Sequence, residues 1–294
     1  MEQTYALSYF GRKLKLVTQD YGSGTSSSIY DYKISDVITV SPNNYEHVFD
    51  VEDDLFFVGH DFLFFLWDSP EKLERWKQHR HRKAVWCFER IDAIVPAWKK
   101  KGEYSISILK QFVDQIYVCD EDDAKVYGDW LPQWGSRVFY DRRSATVTNN
   151  KMLFSGQAGK PEYAERTKLL NEICLDEDLK SIIQITNFSR DYSWDIYCNN
   201  LLSYSAILNP VGILRGFNTR TYEVLYSGRI LLQQTFGYYE RHFDLIKDCP
   251  NVVTFQALPE LKQKLVDLKS CDSTDFFEKN NIYARFKSIG VDLK

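Results

Sequence analysis

Short apolar runs recur along the chain, each closed by glycine, proline or polar residues and most of them followed by a stretch of helical spacing. Lys13-Leu14-Lys15-Leu16-Val17 alternates and then turns apolar, which predicts an opening strand, and residues 18–28 follow as a loop rich in glycine and serine. Residues 36–40, 84–88 and 115–119 predict further strands, and 55–58 and 62–66 are apolar runs parted by Gly59-His60-Asp61. Between them the spacing predicts a charged amphipathic helix over residues 70–82 and another over 105–112. In the second half, strands are expected over 151–156, 181–186, 206–208, 229–233 and 251–255. The intervening helices are one carrying Leu169, Leu170 and Ile173, then 194–203, 220–226 and 258–268. Strands that alternate with helices require an α/β architecture with parallel sheets. Residues 142–150 are polar, lack an apolar face and sit near the midpoint, so the chain is expected to divide into residues 1–146 and 147–273. A closing segment, 274–294, carries Phe276, Phe277, Ile282, Phe286 and Ile289 at roughly helical spacing.

Composition narrows the classes. With 294 residues and 44% hydrophobic positions, the chain can fill two ordinary cores. A net charge of −4 gives no global attraction for a polyanion, so no nucleic-acid partner is expected. Cys87, Cys119, Cys174, Cys198, Cys249 and Cys271 are scattered without CxxC spacing and read as reduced thiols of a cytoplasmic protein rather than zinc ligands. Met1-Glu2-Gln3-Thr4-Tyr5 lacks the basic and apolar regions of a signal peptide. The most apolar run, residues 55–67, is too short to cross a bilayer and contains His60 and Asp61; peripheral membrane contact stays open. Asp120-Glu121-Asp122-Asp123 reads as a solvated acidic turn, and His79 and His81, at i, i+2 on the expected helix, point apart. Neither a metal nor another cofactor is expected.

The most informative stretch is residues 206–233. A short apolar strand is broken by Pro210 and Gly212, and Gly216-Phe217-Asn218-Thr219 opens a helix that Gly228 closes. A helix starting at Asn218 or Thr219 points unpaired N–H groups and the positive end of its dipole into that loop, where Arg215 and Arg220 add charge. This is chemistry for a diphosphate. Glu223, one turn in and on the face of Thr219 and Arg220, suits a ribose hydroxyl pair; the other reading is a helix-surface pair with Arg220. Gly156, at the end of an expected strand, permits close approach of a nucleotide, and Arg166 suits either a phosphate or Glu162 at i−4. The loop with Arg190, Tyr192 and Trp194 offers charge and aromatic faces for a base, or interdomain packing. At the expected sheet edge of the first half lie Asp20, His60, Asp61 and Glu89.

Arg220-Thr221-Tyr222-Glu223, followed by Ser227-Gly228-Arg229-Ile230-Leu231-Leu232, is similar to the donor-site helix of GT-B glycosyltransferases, particularly the spore-maturation, CgeB-like group. Lys151 to Gly156 followed by Tyr163-Ala164-Glu165-Arg166 resembles the opening of that family's donor domain. The resemblance implies two Rossmann-like domains facing across a cleft, the first binding the acceptor and the second the donor, with the tail helix returning to the first. It implies metal-independent transfer of a sugar from a UDP- or GDP-sugar to a hydroxyl of a glycan or other acceptor. Glu223 would then hold the ribose, and Gly156, Arg190, Arg215, Gly216, Asn218, Thr219, Arg220 and Thr221 would line the donor site. Arg220 would stabilise the leaving group; by position alone at the expected sheet edge, Asp20 is the first choice of base, followed by His60, Asp61 and Glu89. Many retaining members carry a second Glu where Arg215 stands, which leaves the stereochemistry open. A non-catalytic nucleotide- or glycan-binding protein and a sugar-nucleotide epimerase are the alternative readings.

Overall fold

The computed structural model of the protein describes residues 14–19, 31–34, 37–40, 45–59, 69–79, 81–88, 90–91, 109–187, 193–212, 217–235, 240–265, 268 and 270–293. The expected run at 62–66 and all but the last turn of the helix expected at 105–112 lie outside them. The chain falls into two compact units, Met1–Pro132 with Ile282–Lys294, and Gln133–Asn281.

The first unit contains β1 (Leu14–Gln19), β2 (Val37–Val40), β3 (Asp54–Val58), α1 (Pro70–Gln78), β4 (Lys83–Cys87), β5 (Gln115–Val118), α2 (Glu121–Ala124) and β6 (Asp129–Trp130). Its sheet runs β2-β1-β3-β4-β5-β6, every pairing parallel. β3 and β4 are buried along their whole length, as a parallel sheet covered on both faces demands. On one face Phe57, Val85, Ile116 and Val118 pack with Trp76 of α1, whose indole N–H donates to the carbonyl of Phe112 at 2.6 Å.

Two expectations fail here. α1 stops at Gln78, not at residue 82: His79 is extended, with ψ at 118°, so neither His79 nor His81 is helical. Their rings lie 5.0 Å apart, and burial, then Lys83 and His81, hold His79 below the ordinary histidine value. The run Asp120-Glu121-Asp122-Asp123 is not a solvated turn, since Asp120, Glu121 and Asp123 are buried. Asp120 caps α2 by accepting from the amide of Asp122, and Asp123 accepts from the amide of Ile91 at 2.7 Å.

The second unit contains α3 (Arg137–Asp141), β7 (Asn149–Gly156), α4 (Ala164–Leu175), α5 (Glu177–Ile182), β8 (Ile183–Asn187), α6 (Trp194–Ser203), β9 (Tyr204–Asn209), α7 (Thr219–Tyr226), β10 (Ile230–Gln234), α8 (Glu240–Ile246), β11 (Val252–Phe255), α9 (Leu258–Lys264) and α10 (Thr274–Asn280). Its sheet runs β11-β10-β9-β7-β8, again parallel throughout. Phe154, Leu208 and Leu232 from three neighbouring strands pack with Leu169, Leu170 and Ile173 of α4 and Leu261 of α9. The polar residues between α3 and β7 lie inside this unit, where Arg142 donates to the Asn199 side chain at 2.5 Å. The protein is therefore an α/β chain of two Rossmann-like units.

The closing segment is two helices rather than one. α10 stays with the second unit, where Phe277 stacks on Tyr140 at 3.9 Å and the Tyr226 hydroxyl donates to the carbonyl of Asn280 at 2.7 Å. α11 (Ile282–Ser288) belongs to the first, where Phe286 meets Phe56 at 4.8 Å and the Tyr283 hydroxyl donates to the carbonyl of Tyr32 at 3.0 Å.

Candidate functional site

In the second sheet the chain steps from β7 to β8 on one side and then to β9 on the other. The carboxyl ends of β7 and β9 thus flank the point where strand order reverses, which in open α/β sheets is where ligands bind. β7 ends at Gly156 and β9 at Asn209.

Arg166 of α4 spans this gap. Its Nη1 donates to the carbonyl of Gln157 at 3.0 Å and its Nη2 to that of Pro210 at 3.3 Å, so one guanidinium ties the residue after β7 to the residue after β9. It is 6% exposed, and its Nε is buried without a partner among the described residues. Close packing demands a glycine beside it: a Cβ on Gly212 would stand 2.4 Å from Nη2.

Arg220, second residue of α7, meets Gly156 from above the strand end. A Cβ built on Gly156 would lie 3.1 Å from Arg220 Nη1 and 3.2 Å from the Phe154 ring. The two guanidiniums feel one another. Burial first, then Arg220, lowers the Arg166 pKa to about 10, and among the described residues neither arginine forms an ion pair with a carboxylate.

α7 begins where the sequence placed it, because Asn218 caps it by accepting from the amide of Thr221 at 3.3 Å. A buried polar network holds this cap against the strand ends. The Asn209 Nδ2 donates to Asn218, Thr221 and Gln233 at 3.1, 3.1 and 2.8 Å, and the Thr221 hydroxyl donates to Gln233 at 2.9 Å. Thr219 donates to the Gln133 side chain at 2.7 Å. The first-turn amides of α7 point out of its N-terminal end, beside the arginines.

Glu223 is deeper than a helix-surface residue, at 3% exposure. Its Oε2 accepts from the Tyr197 hydroxyl at 2.5 Å, and that same oxygen of Tyr197 accepts from Arg220 Nε at 3.4 Å. Burial, then the Glu223 carboxylate, pushes the Tyr197 phenol far above its ordinary range, so the proton stays on the hydroxyl at any physiological pH.

Of the residues singled out from the sequence, Gly156, Asn218, Thr219, Arg220, Thr221 and Glu223 are gathered around this strand gap and the start of α7. Thr221, fully buried in the amide network, shapes the site from behind. Asp20, His60, Asp61, Glu89, Arg190, Arg215 and Gly216 lie outside the described residues. The sequence left Arg166 between two roles and gave no sign of Tyr197. Asn209 and Gln233 were visible only as amides closing apolar strands.

No family model matches the chain, and no curated protein sequence matches it. Solved structures similar to it include Anabaena HepE in complex with UDP-glucose, at 9% identity and a TM-score of 0.46 over 94% of this chain and 97% of that one. The spinosyn forosaminyltransferase SpnP is similar at 11% identity and a TM-score of 0.40, over 94% of each chain. MurG of Acinetobacter baumannii is similar at 11% identity and a TM-score of 0.38, over 85% of this chain and 89% of that one.

Proposed function

We propose that the protein is a cytoplasmic glycosyltransferase of the GT-B kind, CgeB-like in its donor helix, that transfers a sugar from a UDP- or GDP-sugar to a hydroxyl of a glycan or other acceptor. One observation carries this reading: two guanidiniums converge at the strand-order reversal of the second unit, and among the described residues, which exclude the side chain of Glu162, no carboxylate pairs with either. Burying a cation without a carboxylate partner is costly, and a bound anion would offset that cost. The helix start beside them adds amide donors. A diphosphate has the charge and span to meet both arginines and the helix end.

Glycosyl transfer needs positive charge where the departing nucleotide diphosphate gathers negative charge. Arg220, Arg166 and the α7 terminus supply it from the protein, which supports transfer without a metal. The acceptor and the base are assigned to the first unit. Asp20 follows Gln19 in sequence, and His60-Asp61 follow Gly59, just past β1 and β3; these strands flank the point where the first sheet's order reverses. Asp20 is the preferred base, followed by His60, Asp61 and Glu89.

Calorimetry with UDP, GDP and their sugars tests the donor site. Arg220→Ala should weaken nucleotide-diphosphate binding about tenfold or more and slow turnover by about a hundredfold. Product formation across a sugar-nucleotide panel should survive excess chelator. Unchanged affinity in Arg220→Ala, or donor conversion without any acceptor, would contradict the proposal.

A further inference from the structure

The tightest side-chain contact at the site is one that no ligand needs to complete. Glu223 and Tyr197 are both buried, and the phenol donates to the carboxylate at 2.5 Å, the length of a charge-assisted bond. Because the phenol keeps its proton, its direction is fixed: the hydrogen goes to Glu223 and a lone pair faces Arg220 Nε. The Arg220 guanidinium also lies over the Tyr197 ring, 5.8 Å from its centre. Nε–H is thereby directed at Tyr197, while Nη1 and Nη2 extend over Gly156 at the strand gap. A guanidinium held through Nε presents its two terminal nitrogens as a fork, the geometry that grips phosphate oxygens in pairs.

We infer that Glu223 and Tyr197 are positioning residues that aim Arg220, so that Glu223 acts on the diphosphate through Tyr197 rather than by holding a ribose. The inference rests on the reading that the second unit binds a diphosphate. A carboxylate for a ribose diol must reach the ligand, whereas this one is 3% exposed and engaged by a phenol. The chain Glu223 to Tyr197 to Arg220 transmits orientation from the core of the unit to its edge. It makes the grip on phosphate independent of what the phosphate is attached to.

Inorganic pyrophosphate, which has no ribose, separates the two roles. In the full-length protein, Tyr197→Phe keeps the ring packed on Phe139 and Trp194 and removes only the hydroxyl. Calorimetry should show pyrophosphate and UDP binding weakened by the same factor, about tenfold. Glu223→Ala should weaken both ligands likewise, and Glu223→Gln, which can still accept from the phenol, should recover most of the loss. In an Arg220→Ala background Tyr197→Phe should change pyrophosphate affinity less than about twofold, the non-additivity expected of residues acting as a unit. The inference is overturned if Tyr197→Phe binds pyrophosphate normally, if Glu223→Ala weakens UDP but spares pyrophosphate, or if Tyr197→Phe costs as much without Arg220 as with it. Should the wild type bind neither pyrophosphate nor UDP, the diphosphate reading itself fails and takes the inference with it.

Discussion

Arg166 is a strut of the second unit and, on the proposed function, also a group that meets the donor's phosphates. Its two carbonyl bonds stitch the ends of β7 and β9 and it lies over the rings of Tyr163 and Phe154, at 4.8 and 5.8 Å, but these carry only partial charge and among the described residues no carboxylate pairs with the cation. Its proton affinity in the folded protein is depressed to about 10, so between about 10 and the ordinary arginine range the unfolded chain binds a proton that the folded chain has released. The cost of the buried cation is thus present at neutral pH and relieved as pH climbs past about 10. Anion binding has the opposite sign. Pyrophosphate affinity should fall as pH rises through about 10 in the wild type, while Arg166→Gln, weaker at the outset, stays flat across that window in the same calorimetric titration. Gly212→Ala should lower pyrophosphate affinity about tenfold and lower Tm as well, because its Cβ would displace the buried Nη2 end of Arg166 and with it the bond to the Pro210 carbonyl. A full-strength pyrophosphate isotherm from Gly212→Ala would remove Arg166 from the site. At this scale the sequence was readable in kind but not in depth. Helical spacing correctly put Glu223 on one face with Thr219 and Arg220, but Thr221 to Tyr226 are all buried, and eight residues of mixed polarity do not show which polar members the fold will cover.

Elements were more legible than their ends. β3, β4, β9 and β10 announce themselves as apolar runs, since a parallel sheet covered on both faces leaves little room for polar alternation, whereas β1 and β8 alternate with polar residues. The end of α1 was not legible, for Gln78-His79-Arg80-His81-Arg82 contains no glycine or proline to stop a helix. It is ended from outside: the amide of Arg82 donates to Asp54 at 3.0 Å and that of Lys83 to Asp114 at 2.8 Å, drawing the chain into β4. Such partners are distant in sequence and leave no local signature. α5 carries no apolar periodicity to mark it, being a short, mostly polar turn and a half that Asp176 caps by accepting from the amide of Leu179. α7, by contrast, carries its own cap in Asn218, and the network behind it decides where the helix points. Thr221→Val conserves shape while deleting a hydroxyl that joins Asn209 to Gln233, and should lower stability by about 1–3 kcal/mol in urea unfolding. A change within a few tenths would show that the amides hold α7 without it.

At the scale of the molecule, the alternation of strands and helices was enough to foresee an α/β chain with two parallel sheets, and the order of strands within each sheet was beyond reach. That order determines where ligands go, and it rests on pairings between residues tens of positions apart, such as Leu153 with Ile207. The closing segment was equally opaque. Phe276, Phe277 and Phe286 look alike in a periodicity plot, although the first two belong to the second unit and the third to the first. A stop at Asn281 should therefore leave pyrophosphate binding intact while lowering the Tm of a separate transition reporting the first unit; a single unshifted melt would contradict this. The placement of α11 also sets a timetable for biosynthesis. The first unit stays unfinished while the second is translated in its entirety, since Phe286 and Tyr283 emerge only afterwards. The segment made later is thus the one able to mature earlier, and the amino-terminal portion waits for its final wedge.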